Sequence, residues 1–447
     1  MKRVAFVISS QHYIPHGGIG QFAKSFTEMA NSLGWVVDMI LDKAPNRSDF
    51  TEYMESICGN IEYPANPLTY SKQQLIHAFT ESYNLEKMAN FRDSMMKALQ
   101  SNLYDMIVVN SPDAIIPIYG LGIHEYVDIV FYTHNGTMIY GRPTGFKGTF
   151  SDAHDYMVMK AGECPGVTLA TQTNRNAMFM IKRGLHNTET LPMPLTEQLL
   201  MLEYTGEKSG VLFIGRWEDG KNPEVFIDVI RKTKLPAKVM TSEKSAKKFE
   251  AALKEIGVDY DIRVQIIGKE KCDFIRSSKV AVMPSKSESF SFGMFETMYH
   301  VPCVVLEEYD WWENFPKNHF AVASKDKIAE VVAKIYQKNF VPSPDLYRKY
   351  QKDAANSWQT FADNFTPKQS NSNAATILKK DNLYYKDHIA ELNRFASIED
   401  VISVLANRHK FKVEYTKHNT WLSKEGKPPA DQGSKPSAGS LEDFFND

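Results

Sequence analysis

The chain is 447 residues long, beyond the size at which one hydrophobic core keeps growing, so two main domains are expected. A hydrophobic fraction of 43% supplies both cores, and a net charge of -2 excludes a molecule that binds nucleic acid through overall positive charge. No apolar run approaches the roughly 20 residues of a membrane-spanning helix, and the widely spaced Cys58, Cys164, Cys272 and Cys303 offer no zinc or redox pairing, as expected of a reduced, cytoplasmic protein.

The apolar stretch after Met1-Lys2-Arg3 has the outline of a secretory leader. It stops at Ser9-Ser10-Gln11-His12 with no small-residue cleavage site, and it reads as a buried first strand. Strand-like runs are expected at 4–9, 35–41, 106–110, 129–133 and 167–170, with amphipathic helices at 21–33 and 85–100 between them. Strands alternating with helices imply a parallel, doubly wound sheet that binds ligands at the carboxyl ends of its strands.

Directly after the first strand comes Gly17-Gly18-Ile19-Gly20. Glycines permit a tight turn and let backbone N–H groups approach a phosphate at the positive end of a helix. The plain counterpart is an ordinary strand–helix turn, because the spacing is not that of the dinucleotide fingerprint. His134 closes the strand at 129–133, a position from which it would reach a bound sugar; a lone histidine there is otherwise structural.

The pattern restarts in the second half. Strands are expected at 211–214, 238–241, 264–267, 280–284 and 303–306, with an amphipathic helix at 223–232. Leu191-Pro192-Met193-Pro194 reads as the hinge between the halves. Arg216 and Lys221 follow the strand at 211–214; a planar fork and a point charge suit a diphosphate, whereas two solvated loop charges are the bland alternative. Then comes Pro284-Ser285-Lys286-Ser287-Glu288-Ser289-Phe290-Ser291-Phe292-Gly293-Met294-Phe295-Glu296. It leaves a strand, crosses a small-residue loop and enters a helix. Glu288 and Glu296 are pure acceptors suited to sugar hydroxyls, and the free N–H groups at Phe292 and Gly293 suit a phosphate or sugar oxygen.

Beyond Pro344 a long amphipathic helix is expected over 345–365. A polar linker, a small α+β unit, a Lys/Gly/Pro/Ser-rich tether and a terminal apolar cluster containing Leu441, Phe444 and Phe445 follow. The expected organisation is 1–190 and 191–344 as two doubly wound domains, 345–366 as a crossing helix, 367–423 as an accessory unit and 424–447 as a tail.

Taken together, Gly17 to Gly20, His134, Gly215-Arg216 with Lys221, and Glu288 with Glu296 resemble the pattern of the retaining GT-B glycosyltransferases of the large family-four group, over roughly residues 1–365. The resemblance implies a GT-B fold, α/β, in which two Rossmann-like domains enclose a cleft for a UDP-sugar. It implies that Arg216 and Lys221 hold the donor diphosphate, Glu296 the ribose, and Glu288 and His134 the transferred sugar, with Gly17, Gly18, Gly20, Phe292 and Gly293 lining the donor. The chain departs from the pattern where the usual Glu-Gly-Phe-Gly is Glu288-Ser289-Phe290-Ser291-Phe292-Gly293. No Asp-x-Asp pair stands where it would serve the donor, so no metal and no cofactor are expected. Retention through a same-face, oxocarbenium-like route is what the family implies.

Two acceptors compete. One is a cell-surface polysaccharide or lipid, the usual target of family-four relatives, although the lysine-rich run at 244–254 reads as a solvated helix rather than a membrane patch. The other is 5-hydroxymethylcytosine in double-stranded DNA. The tail resembles a sliding-clamp-binding peptide, with Leu441 followed at three and four residues by Phe444 and Phe445. The first loop and Thr133-His134-Asn135 resemble the α-glucosyltransferases of T-even-like bacteriophages, which would place the chain in the host cytoplasm. Residues 366–427 are locally positive, and DNA is the favoured acceptor, with glucose and arabinose both open as the sugar. A sugar-binding protein without activity is disfavoured by the Arg216 and Lys221 pair.

Overall fold

The computed structural model contains two parallel sheets, each wrapped by helices, joined by a short crossing segment and one long returning helix. It describes residues 1–15, 18–67, 85–111, 114–115, 118, 123–125, 127–134, 166–182, 185–195, 204, 206–286, 288, 290–315, 320–338 and 344–364. Gly17, the 367–423 unit and the tail with Leu441, Phe444 and Phe445 lie outside the described residues.

The first sheet has strands β1 (Arg3–Val7), β2 (Val36–Ile40), β3 (Asn60–Glu62), β4 (Met106–Val109), β5 (Asp128–Tyr132), β6 (Val167–Thr171) and β7 (Thr188–Thr190). Their order is β3-β2-β1-β4-β5-β6-β7, parallel throughout. Helices α1 (Gly18–Ser32), α2 (Asp49–Ile57), α3 (Leu85–Ser101) and α4 (Asn174–Lys182) accompany it. Alternate side chains of one strand feed opposite faces. Ala5, Val7, Ile107 and Val109 pack with Phe91 and Met95 of α3, whereas Val4, Phe6 and Val108 pack with Phe22 and Phe26 of α1. Such two-sided burial is why these strands are short, continuous apolar runs.

The second sheet has β8 (Val211–Ile214), β9 (Ala237–Thr241), β10 (Tyr260–Val264), β11 (Val280–Met283), β12 (Cys303–Leu306) and β13 (Phe320–Ala323), in the order β10-β9-β8-β11-β12-β13. Its helices are α5 (Pro223–Thr233), α6 (Glu243–Ile256), α7 (Gly268–Arg276), α8 (Phe292–Met298) and α9 (Ile328–Tyr336). One strand expectation fails: the run at 264–267 is not the strand. β10 ends at Val264, Gln265 turns into the left-handed region at φ 52°, and Ile267 precedes α7. As an edge strand, β10 tolerates Asp261 and Arg263, which form an exposed ion pair at 2.8 Å, so its sequence lacks an apolar signature. The edge strands β3, β7 and β13 are likewise short and were not legible.

In both sheets the chain winds outward from a central pair, β1 with β4 and β8 with β11, where the strand order reverses. A last helix, α10 (Pro344–Asn364), binds the two halves together. Tyr347, near its start, is buried in the second core, and Trp358, further along, in the first. The hinge backbone is held against it. Trp358 Nε1 donates to the Pro192 carbonyl at 2.9 Å, Tyr350 Oη to Met193 at 3.1 Å, and Gln351 Nε2 to Leu195 at 2.7 Å. From the first domain, Tyr132 Oη reaches the Leu191 carbonyl at 2.7 Å.

Candidate functional site at the second switch point

The carboxyl ends of β8 and β11 carry two loops stitched to each other. After β8 the chain passes Gly215, Arg216 and Trp217, makes a single 3₁₀ turn over Asp219–Lys221, and enters α5 through Asn222, held in the left-handed conformation at φ 52°. Pro223 opens the helix, where its missing N–H costs nothing. The loop after β11 crosses beside it: Lys286 N–H donates to the Gly220 carbonyl at 2.9 Å, and Asn222 Nδ2 donates to the Pro284 carbonyl at 3.2 Å. Ser291 caps α8 by accepting from Met294 N–H at 3.2 Å.

Charge is concentrated here and balanced within the loops. Lys221 Nζ meets Glu288 Oε1 at 2.5 Å, with both side chains partly exposed. Lys286 pairs with Asp219, and Arg216 pairs with Glu218 at 3.0 Å. Three cations thus face three carboxylates. An arriving anion would compete with carboxylates for cations already in place. Arg216 is the most accessible of the three, with its side chain 66% exposed.

The other residues named from the sequence are distributed around this centre. Glu296, on α8, is 5% exposed and paired with Lys271 of α7 at 2.6 Å. Gly293 lies against β8; a Cβ there would meet Ile214 at 3.4 Å. The Phe292 ring reaches the first domain, since a Cβ on Gly18 would lie 3.7 Å from it. Phe290 and Phe292 pack against both the first-domain core and the second. Gly20 has a packing role inside the first domain, where a Cβ would fall 2.0 Å from the Ile14 carbonyl oxygen. His134 follows β5, with its ring 5.1 Å from Phe22 and 5.2 Å from Tyr132. Burial pushes the pKa of Lys24 on α1 down, against the opposing charge and hydrogen bond of Glu28.

Sequence reasoning missed Lys271, Lys286, Asp219 and Asn222. The Asn-Pro step at 222 was a readable sign of a turn that starts a helix. The ion pairs were not readable, because the partners of Lys286 and Lys271 lie 67 and 25 residues away. Among the described residues no cluster of three or more His, Cys, Asp or Glu side chains is placed to hold a metal.

The chain matches no family profile and no curated protein. Solved structures share its fold at low sequence identity. Sucrose-phosphate synthase from Thermosynechococcus elongatus aligns over 87% of this chain and 100% of its own, with a TM-score of 0.58 and 15% identity. HepE from Anabaena, solved in complex with UDP and glucose, aligns over 86% and 100%, with a TM-score of 0.54 and 13% identity. WaaG, a glycosyltransferase involved in lipopolysaccharide biosynthesis, aligns over 85% and 99%, with a TM-score of 0.51 and 12% identity. The fold is therefore GT-B, with two parallel-sheet α/β domains of seven and six strands. No helix among the described residues is long and apolar enough to cross a membrane.

Proposed function

We propose that the chain is a metal-independent glycosyltransferase that takes its sugar from a UDP-sugar bound at the second switch point. The observation that carries this reading is the pairing of Lys221 with Glu288 between two cross-linked loops, at the strand ends where a doubly wound sheet binds ligands. The complex of a fold neighbour with UDP and glucose supports it.

In this reading the donor diphosphate draws Lys221 and Arg216 to itself, and Glu288, released from Lys221, accepts from sugar hydroxyls. The bond between the anomeric carbon and the diphosphate oxygen breaks, and the growing negative charge is met by Arg216 and Lys221. The acceptor oxygen bonds to the anomeric carbon on the same face, and its proton leaves with the diphosphate. Donors fixed in advance are worth about 10²–10³ in rate each when they face charge that develops in the transition state. Glu296 accepts from the ribose, the N–H groups at Phe292 and Gly293 face the donor, and His134 approaches the sugar from the first domain.

The acceptor in this proposal is 5-hydroxymethylcytosine in DNA. The locally positive 366–427 stretch and the apolar Leu441, Phe444 and Phe445 beyond a Lys/Gly/Pro/Ser-rich stretch support it, since that apolar spacing suits a partner's groove. A tether of about 17 residues spans roughly 20–25 Å and would raise the effective concentration of DNA near a sliding clamp. Deleting 440–447 should leave turnover on short free duplexes unchanged and abolish clamp binding, as read by pull-down with the cognate clamp.

The decisive assay offers a panel of UDP-sugars with hydroxymethylated duplex, unmodified duplex and surface glycans. Sugar should appear on the hydroxymethylated duplex alone. Transfer to glycan or lipid only would replace the DNA reading with the surface-glycan one, and no transfer to any acceptor would overturn the transferase reading.

A further inference from the structure

The outer edge of the first sheet and the returning helix α10 flank an open cavity of about 550 Å³, within the size range of small-molecule sites. One wall is Thr168 of β6 with Glu189 and Thr190 of β7, and the other is Asn356, Thr360 and Asn364 of α10. None of its described lining comes from the loops at either switch point.

Both walls are built by the periodicity of their elements. On α10, Ala354, Trp358 and Ala362 recur every four residues and are buried. Asn356, Thr360 and Asn364 recur at the same spacing, so they form a second stripe beside that face. Lys349, Lys352, Asp353 and Asp363 give the helix a charged exposed surface, and along the stripe that charge is missing. On the other wall, β7 is an edge strand. Leu169 N–H donates to the Asn187 carbonyl at 2.9 Å, and Leu191 N–H to the Thr171 carbonyl at 2.9 Å. Alternate residues of a strand turn their backbone groups to opposite sides, so Thr190 presents its N–H and C=O to the open edge.

The chemistry of the ligand follows from these groups. The side chains of Thr168, Glu189, Thr190, Asn356, Thr360 and Asn364 form no hydrogen bond or ion pair among the described residues. Hydroxyls and carboxamides both donate and accept, and a carboxylate accepts at two oxygens. Leu191 and Phe361 add apolar surface to the lining, suited to the C–H face of a sugar ring. No lysine, arginine or histidine is among the described residues that line the cavity, so a phosphate or a DNA backbone would meet Glu189 without a cation to offset it. An amine would use Glu189 alone and leave the carboxamide donors unmet. A hydroxyl answers every group present.

We infer that this cavity is a second, non-catalytic binding site for a neutral mono- or disaccharide. It adjoins the hinge. Leu191 is the first hinge residue, with its carbonyl accepting from Tyr132 Oη at 2.7 Å, and α10 carries Trp358, whose Nε1 donates to Pro192 at 2.9 Å. A sugar seated between them ties the edge of the first sheet to the helix that both halves share, and it stabilises that contact by mass action.

Hydrogen exchange on the full chain locates the site, with maltose, lactose and N,N′-diacetylchitobiose as neutral probes. Glucose 6-phosphate is the anionic control and spermidine the cationic one. At least one neutral probe should slow exchange over 187–191 and 353–364 and raise the melting temperature. Asn356→Leu replaces an exposed helix residue by a better helix former, so the fold should be kept while calorimetry finds that probe bound at least tenfold more weakly. Thr360→Val, which removes one hydroxyl and keeps the shape, should weaken it about threefold and gives the same reading where leucine disturbs the helix. Four results would overturn the assignment: no protection by any neutral probe, protection only at the loops of the second switch point, parental affinity in both variants, or equal protection by glucose 6-phosphate or spermidine. Neither site needs the other, since sugar protection here without UDP binding would keep this cavity and sink the donor site.

Discussion

The two switch points occupy equivalent places in two similar sheets, yet they hold opposite chemistry. At the ends of β8 and β11, Lys221, Lys286 and Arg216 are each answered by a carboxylate. At the ends of β1 and β4, Ser9, Ser10 and Asn110 are uncharged and their side-chain ends buried without partners among the described residues. In the proposed reading, carboxylates at the second switch point hold its cations until the donor diphosphate arrives, whereas the first switch point contributes buried, uncharged side chains at the same place in its sheet.

The largest expected effect breaks the comparison at its frame, the helix that both halves share. Trp358→Ala should destabilise the protein by about 3–5 kcal/mol, as for other buried aromatic truncations, because its side chain is wholly buried in the first core and its Nε1 holds the hinge. Denaturant unfolding measures this, and a loss below ~1 kcal/mol would show that α10 is only loosely attached.

Next in size is a pH effect at the first switch point, where His12 lies between the charges of Lys87 and Asp42. The His12 pKa falls from 6.5 to about 4 on folding, through burial first and Lys87 second, against Asp42. The unfolded chain therefore binds a proton that the folded one refuses between those values. Stability is full above pH 6.5 and declines as pH drops towards 4, by about 3 kcal/mol at 1.36 kcal/mol per pH unit. His12→Gln should flatten that window in melts taken from pH 4 to 7. An unchanged slope would remove His12 from the buried cluster.

How far the sequence showed this contrast depends on the range of the interactions. The central strands and the helices were legible because their apolar patterns are local: β8 and β12 fall where the sequence places them, and α10 begins one residue early. β10 was misplaced because an edge strand needs no apolar signature, and Ile266 and Ile267 drew attention past its end. In the charged site Arg216, Lys221 and Glu288 stood out as motif residues at strand ends. The buried polar ends at the first switch point were invisible, because serine and asparagine after a strand are common, and only burial distinguishes Asn110.

A smaller effect sharpens the charged side. Lys221→Ala or Arg216→Ala should lower kcat/KM about ten- to 150-fold with the melting temperature nearly unchanged, from ~1.5–3 kcal/mol per charge-assisted bond. Steady-state kinetics on the preferred acceptor measures it, and unchanged kinetics in both variants would remove the donor from these loops. The smallest expected effect is none: in the proposed reading turnover should survive EDTA, since Lys221 and Arg216 turn from their carboxylates to the diphosphate in place of a divalent ion. Loss restored by manganese or magnesium would show that the electrostatics of the site were misread.

The central claim, that the donor diphosphate binds between the loops of the second switch point, is tested most directly by titrating UDP calorimetrically into the parent and Lys221→Ala. The parent should bind UDP, and Lys221→Ala should bind it at least tenfold more weakly. Equal UDP affinity in the two proteins would contradict the claim outright.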